Sequence, residues 1–366
     1  MFLPDYNNNI LGIPNSILVH YGAMPHHATL PVLDDALAKQ HRNVVLYVMD
    51  GLGIDNLIAH APDGFLMKNC RARLSSVYPC TTVSALATFE TGLSPIEHGW
   101  LGWSMYFREI GKCVDLFSDK ESGTGRLAAD KGFVWKAIGY KNLFDKIAEA
   151  DSSIECHRVS SFGVTRSATN EAVAYRVANL CRMPGRKYIY AYHLEPDAHI
   201  HKNGVGCEGT KAYIGLFDRQ LQWLHENAPD TLLIVTADHG MTDISEFLSI
   251  DDFSGLNECL LAKPSREPRN LSFFVKDGLH NKFAGLWDEH FAGDFDLLTA
   301  DQVLARGHFG GGAPHPLAGG FLGDFIAHAT GRKALWYKNE KGESPGLKAG
   351  HAGLLKEEMV VPLIIV

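Results

Sequence analysis

The sequence lacks the features that would tie it to a membrane, a nucleic acid or an oxidising compartment. No apolar run approaches the roughly 18 residues that a bilayer-spanning helix needs. Cations are not in excess: 34 Lys and Arg stand against 42 Asp and Glu, a net charge of −8. A chain of that balance has no general surplus with which to neutralise a nucleic-acid backbone. The seven cysteines, at positions 70, 80, 113, 156, 181, 207 and 259, form no CxxC pair. An odd, dispersed set fits reduced thiols better than a disulfide framework. The first residues, Met1 to Asn9, show neither the basic nor the apolar region of a signal peptide. Internal repeats and low-complexity tracts are also missing. The expectation is a cytoplasmic protein with no nucleic-acid or membrane partner.

What is present is an ordinary globular composition with an unusual number of histidines. Of 366 residues 46% are hydrophobic and 21% charged, enough to bury a large core. The 18 histidines are a ready supply of neutral nitrogen ligands. Val44 to Met49 is a continuous apolar, β-branched run, which reads as a strand buried on both faces of a parallel sheet. Tyr188 to Tyr192 and Leu232 to Thr236 read the same way. Helical patterns cover Val32 to Gln40, Asn142 to Ala150, Asn170 to Met183 and Thr210 to Glu226. Strands alternating with such helices predict a three-layer αβα sandwich around a mostly parallel sheet. Residues from about 246 to 348 are loop-rich, with short strand candidates at Ser272 to Val275 and Ala334 to Tyr337. They read as an insertion near the active site within one domain spanning 1–366. A second elaboration runs from Trp100 to Gly132.

Chemistry-bearing residues gather in a few phrases. Asp50 and Gly51 end the first apolar run. Asp197 and His201 stand four apart, so they face one side if the segment coils, whereas His199 points elsewhere. Asp238 and His239 follow the run that ends at Thr236, where α/β enzymes place their sites. His351 lies in a Gly-His-Ala-Gly turn. Three carboxylates and three imidazoles are enough ligand for two metal ions of the zinc type, with manganese as the alternative. Pro79-Cys80-Thr81-Thr82 follows a strand expected at Ser75 to Tyr78 and opens a small-residue helix. A hydroxyl there is either an N-cap or a nucleophile facing an anion.

The order of these phrases resembles the alkaline phosphatase superfamily, and most of all its type I phosphodiesterase/nucleotide pyrophosphatase branch. The matching pieces are Asp50-Gly51, Pro79-Cys80-Thr81-Thr82, Thr91-Gly92-Leu93-Ser94-Pro95-Ile96-Glu97-His98-Gly99, Pro196-Asp197 with His201, Asp238-His239-Gly240-Met241 and Gly350-His351. The resemblance implies a phosphohydrolase of the phosphodiesterase type with Thr82, rather than Thr81, as nucleophile and a phosphothreonine intermediate. It implies one zinc on Asp197, His201 and His351, and another on Asp50, Asp238, His239 and Thr82. Its implied substrate is a small phosphate ester or nucleotide. Phosphomonoester or phosphonate C–P hydrolysis is the alternative within the superfamily, and a non-catalytic metal- or phosphate-binding module the alternative outside it. The sequence departs from the branch at Ile200, where a Gly is usual before the His. It departs again at Trp103, where nucleotide pyrophosphatases carry an Asn on the phosphate.

Two further regions have readings of their own. Gly307 to His315 is either a glycine-rich surface loop or a lid that offers an imidazole to substrate. Trp100, Trp103, Tyr106 and Phe107 form either a packing cluster or a stacking surface.

Overall fold

The structure, a computed structural model, describes residues 1–162 and 167–366. Six strands make the central sheet: β1 Asn43–Met49, β2 Cys70–Ser75, β3 Glu155–Ser160, β4 Lys187–His193, β5 Thr231–Thr236 and β6 Val360–Ile365. Their order is β2-β6-β5-β1-β4-β3. β1 runs parallel to β4 and β5, and β3 parallel to β4, whereas β6 runs antiparallel to β2 and β5. All seven residues of β1 are buried, which is why it reads as a continuous apolar run rather than an alternating one.

Helices flank this sheet as expected, at Pro31–Leu37, Leu143–Ala150, Asn170–Arg182 and Glu208–Asn227. Three begin on side-chain caps: Asn142 accepts from the Asp145 amide, Thr169 from that of Ala172, and Cys207 Sγ from that of Thr210. No helix among the described residues is long and apolar enough to cross a membrane.

The strand expected at Ser75 to Tyr78 lies earlier, at Cys70–Ser75. There exposed Arg71 and Arg73 alternate with Ala72 and Leu74 along an edge strand paired to β6. That period-two pattern, not an apolar run, is its signature. Residues 246–348 are also more ordered than a loop-rich stretch. Strands Ser265–Glu267, Asn270–Phe273, Phe295–Thr299 and Phe325–Ala329 join Ser104–Phe107, Lys112–Asp115 and Lys120–Glu121 in one seven-stranded sheet. Its pairings are antiparallel, with Arg266 opposite Ser104 as the link between the two parts of the chain. One apolar cluster joins this sheet to the helix that starts at Thr82, through Val83, Met105, Phe107 and Ile326. A second, built on Phe273, Phe283 and Trp287, packs the helix His280–Phe291 onto it.

Candidate active site and metal centre

Register in the central sheet brings the chemistry together. Met49 pairs with His193, and Val48 with Thr236, so the segments leaving β1, β4 and β5 emerge side by side. Asp50 follows β1, α1 (Asp197–Asn203) follows β4, and Asp238 and His239 follow β5. The approach is close enough to demand glycine at position 51. Its φ is +73°, and a Cβ there would sit 3.0 Å from Asp197 Cα. Gly240 is equally constrained, since a Cβ would meet the Glu357 carbonyl oxygen at 2.0 Å.

The seven residues expected at the site converge. Thr82 opens the helix Thr82–Thr91, and its Oγ1 lies 3.2 Å from His239 Nε2 and 3.4 and 3.5 Å from the Asp50 oxygens. His239 Nε2 stands 3.3 Å from Asp50 Oδ1 and 3.5 Å from Asp238 Oδ2. On the other side, Asp197 Oδ1 lies 3.3 Å from His201 Nε2 and 3.9 Å from His351 Nε2. The His239 and His351 rings stack with centroids 3.8 Å apart. Two sets of ligand atoms are compact enough to hold an ion: Asp197, His201 and His351, and Asp50, Asp197 and His239. Asp197 belongs to both. Asp238 is not part of the second compact set, but it borders that set through His239 and adds its charge.

Three observations fit divalent cations at these positions. Asp197 Oδ1 and Asp238 Oδ2 are buried without a hydrogen-bond partner. Each imidazole turns Nδ1 to a backbone carbonyl, His201 to Ala349 at 2.7 Å, His239 to Gly240 at 3.1 Å and His351 to Cys80 at 3.2 Å. That contact assigns the proton to Nδ1 and leaves Nε2 as the ligand atom. Burial and mutual repulsion also raise all three carboxyls: Asp197 to about 7, and Asp50 and Asp238 upward for the same two reasons. Burial lowers His201 and His351, keeping them neutral, while the surrounding carboxylates lift His239 to about 10 against its own burial. The site is thus a buried concentration of negative charge facing imidazoles, the composition of a cation site.

Support around the site comes from residues that carried no sequence signal. The Tyr192 hydroxyl, at the end of β4, donates to Asp50 Oδ2. Glu267, buried at the end of its strand, accepts from Thr81 Oγ1 at 2.5 Å and from the Trp103 amide at 2.8 Å. Thr81 therefore does not cap the helix with its side chain. Its hydroxyl is committed to the second sheet. Burial raises Glu267 to about 7, against the hydrogen bond from Thr81. Arg269 and Glu358 form a fully buried, two-pronged ion pair at 2.7 Å on each arm. Glu358 in turn accepts from the amides of Gly353 and Leu355, just beyond His351.

A cleft of about 330 Å³ opens over this centre, with Thr82, Asp197, His201 and His351 on its floor and Trp103, Glu267 and Trp336 in its walls. Of the four aromatic candidates only Trp103, 46% exposed, lines it. Trp100 is buried with its indole N–H on the Ile138 carbonyl, Phe107 is buried, and Tyr106 packs on Phe274. The lid reading of 307–315 is corrected: His308 is buried edge-on to Tyr78 and does not line the cleft, because Phe309 anchors the segment in the core. His199 faces Tyr213 and Cys207 outside the site.

Comparison with known proteins places this geometry. No curated sequence matches the chain. Among solved structures, murine ectonucleotide pyrophosphatase/phosphodiesterase 5 superposes with a TM-score of 0.65 at 16% identity, covering 87% of each chain. The human protein of that name gives 0.65 at 17%, covering 88% of this chain and 87% of its own. Phosphonoacetate hydrolase from Sinorhizobium meliloti 1021, in complex with phosphonoformate, gives 0.64 at 16%, covering 89% and 90%. The sequence profile described as type I phosphodiesterase / nucleotide pyrophosphatase matches residues 44–293. The chain belongs to that family, a branch of the alkaline phosphatase superfamily whose members are hydrolases of phosphoester bonds and bind divalent metals.

Proposed function

We propose that the protein is a metal-dependent phosphohydrolase of the phosphodiesterase/nucleotide pyrophosphatase type, with Thr82 as nucleophile. The observation that carries this reading is the position of Thr82 Oγ1. It lies on the floor of the cleft, at the start of a helix, 3.2 Å from His239 and 3.4 Å from Asp50. Two divalent ions, zinc by ligand type, held by Asp197, His201 and His351 and by Asp50, Asp238 and His239, with Asp197 within reach of both, would lower the pKa of the Thr82 hydroxyl and offset charge on the entering and leaving oxygens. Thr82 Oγ then attacks phosphorus in line. The Oγ–P bond forms as the P–O bond to the departing alcohol breaks, and the proton given up by Thr82 Oγ ends on the departing oxygen. The first amides of the helix Thr82–Thr91 face the phosphoryl oxygens, where the helix N-terminus favours anions. In a second displacement water attacks phosphorus as the P–Oγ bond breaks, and a proton from that water returns to Oγ to restore the threonine. Asp50 and His239 hold Thr82 Oγ between them through both steps, and Tyr192 holds Asp50.

An AMP complex of a murine ectonucleotide pyrophosphatase/phosphodiesterase 5 variant described as inactive supports nucleotides as one substrate class to try. Phosphonate cleavage is the alternative reading: among the described residues the cations in the cleft lining are Arg266, whose Nη2 is buried without a partner, and Arg269, which is engaged by Glu358. The test is turnover of bis-p-nitrophenyl phosphate and p-nitrophenyl phosphate by wild type and Thr82→Ala, with mass spectrometry of quenched wild-type enzyme for phosphothreonine. Thr82→Ala should lose more than about a thousandfold in kcat. Undiminished turnover would overturn the mechanism, and preference for the monoester would move the assignment to a phosphomonoesterase.

A further inference from the structure

The first displacement leaves a proton to be moved. It starts on Thr82 Oγ and ends on the departing oxygen, which in an in-line reaction lies on the far side of phosphorus. Asp50 and His239 stand beside Oγ but do not line the cleft. Of the groups that do line it, Asp197, His201 and His351 are committed as ligand atoms, and an arginine does not release its proton. Two carboxyls remain, Asp115 and Glu267. Asp115 ends the strand Lys112–Asp115, and its Oδ1 has no hydrogen-bond partner, so no bond aims that oxygen at Thr82.

Glu267 is the carboxyl joined to the nucleophile's own segment. Thr81 Oγ1 donates to its Oε1 at 2.5 Å, and the Trp103 amide to the same oxygen at 2.8 Å. Both bonds fall on one oxygen. They orient the carboxyl, and among the described residues no donor is bonded to Oε2. The side chain is buried apart from the edge it gives to the cleft. Its neighbour Arg266 does not pair with it: Nε donates to the Leu101 carbonyl, and the guanidinium lies 5.0 Å from the Phe309 ring and 5.5 Å from that of Tyr78. Burial therefore raises Glu267 to about 7, against the bonds from Thr81 and Trp103 and the pull of His239 and His201. A group that must both take and give a proton near neutral pH works best in that range.

Resting on the phosphohydrolase reading above, we propose that Glu267 Oε2 is the proton carrier between Thr82 and the departing oxygen. In the first displacement it takes the proton that Thr82 Oγ gives up, through a water in the cleft, and delivers it to the departing oxygen as the P–O bond breaks, so the alcohol leaves neutral. In the second it takes a proton from the attacking water and returns it to Oγ as the P–Oγ bond breaks. Glu267 ends each cycle as the carboxylate it began.

The test varies the basicity of the departing oxygen, because a weakly basic phenolate leaves without a proton and a more basic one does not. The substrates are p-nitrophenyl, p-chlorophenyl and phenyl esters, each as the methyl phosphate diester and as the phosphate monoester, and kcat/KM reports the first displacement. Wild type should lose less than about tenfold from p-nitrophenyl to phenyl, since proton delivery offsets the poorer departing group. Glu267→Gln keeps an oxygen for Thr81 and Trp103 but carries no proton. Its loss for the phenyl ester should exceed its loss for the p-nitrophenyl ester by at least about tenfold, at the lower end of what proton transfer contributes or below it. Glu267→Asp, which keeps a carboxyl, should flatten the dependence again even as its overall rate falls. Equal losses for all esters in Glu267→Gln would mean that Glu267 only positions Thr82 through Thr81, and would overturn the inference while the hydrolase reading stands. A steep fall toward the phenyl ester in wild type overturns it without any variant. Failure of wild type to hydrolyse any of these esters overturns both readings together.

Discussion

The Thr81 hydroxyl donates to Glu267 Oε1 at 2.5 Å, across 186 residues of chain. This bond fixes the residue before the proposed nucleophile to the second sheet, and the Trp103 amide shares the same oxygen. The start of the helix Thr82–Thr91 is thus held from the side of the cleft, not by its own cap. Glu267→Ala would leave the half-buried Trp103 amide and the buried Thr81 hydroxyl without this acceptor, at about 1–3 kcal/mol for a fully buried group. Thermal unfolding should show a loss of a few degrees, with kcat falling as Thr82 loses its alignment. Glu267→Gln keeps the acceptor oxygen and should recover most of the stability.

The two threonines can be told apart by the same logic. Thr81→Val removes one hydrogen bond and no reacting atom, so activity should drop by about tenfold or less, the equivalent of one such bond. Thr82→Val removes the attacking oxygen and should abolish phosphothreonine formation. Equal losses in the two variants, in steady-state assays with bis-p-nitrophenyl phosphate, would count against the assignment of Thr82.

Asp197 is shared between the two compact ligand sets, whereas His351 belongs to one. Elemental analysis of wild type should therefore return about two divalent ions per chain. His351→Ala should lose about one of them, and Asp197→Asn should deplete both. Removal of metal by a chelator should inactivate the enzyme and lower its melting temperature, since ions bound at a hundred times their Kd stabilise the fold by about 2.7 kcal/mol each. Equal metal content in Asp197→Asn and His351→Ala would show that Asp197 does not bridge.

How much of this was legible in the sequence depends on where each residue's partners lie. Asp50, Asp238 and His239 are readable because each follows an apolar run that becomes an interior parallel strand, and the carboxyl edge of such a sheet is a predictable place. Asp197 and His201 are readable because one helical turn sets their spacing. Glu267 is not, because Arg266, Glu267 and Arg269 look like a solvated charge run. Their burial is created by a sheet that joins residues 104–121 to 265–329, and no local pattern encodes that pairing. Tyr192 sits in a run correctly read as a strand, but a period-two pattern does not say that its hydroxyl reaches Asp50. His308 misled for the opposite reason: glycines around it suggest mobility, whereas Phe309 beside it is a core residue.

The ion pair between Arg269 and Glu358 gives the sharpest separation of stability from metal binding. It is wholly buried, and through Glu358 it holds the amides of Gly353 and Leu355 that follow His351. Arg269→Met leaves the Glu358 charge buried without its partner and should cost about 3–5 kcal/mol, whereas replacing both residues by apolar side chains is often near neutral. The double variant Arg269→Met/Glu358→Leu should therefore unfold at a higher temperature than Arg269→Met alone. It should not regain full metal content, because an apolar side chain in place of Glu358 offers no acceptor to the turn that presents His351. Calorimetry and elemental analysis on the same samples would check this. If the double variant recovers stability and metal together, the ion pair is a packing element only, and the His351 turn keeps its shape without it.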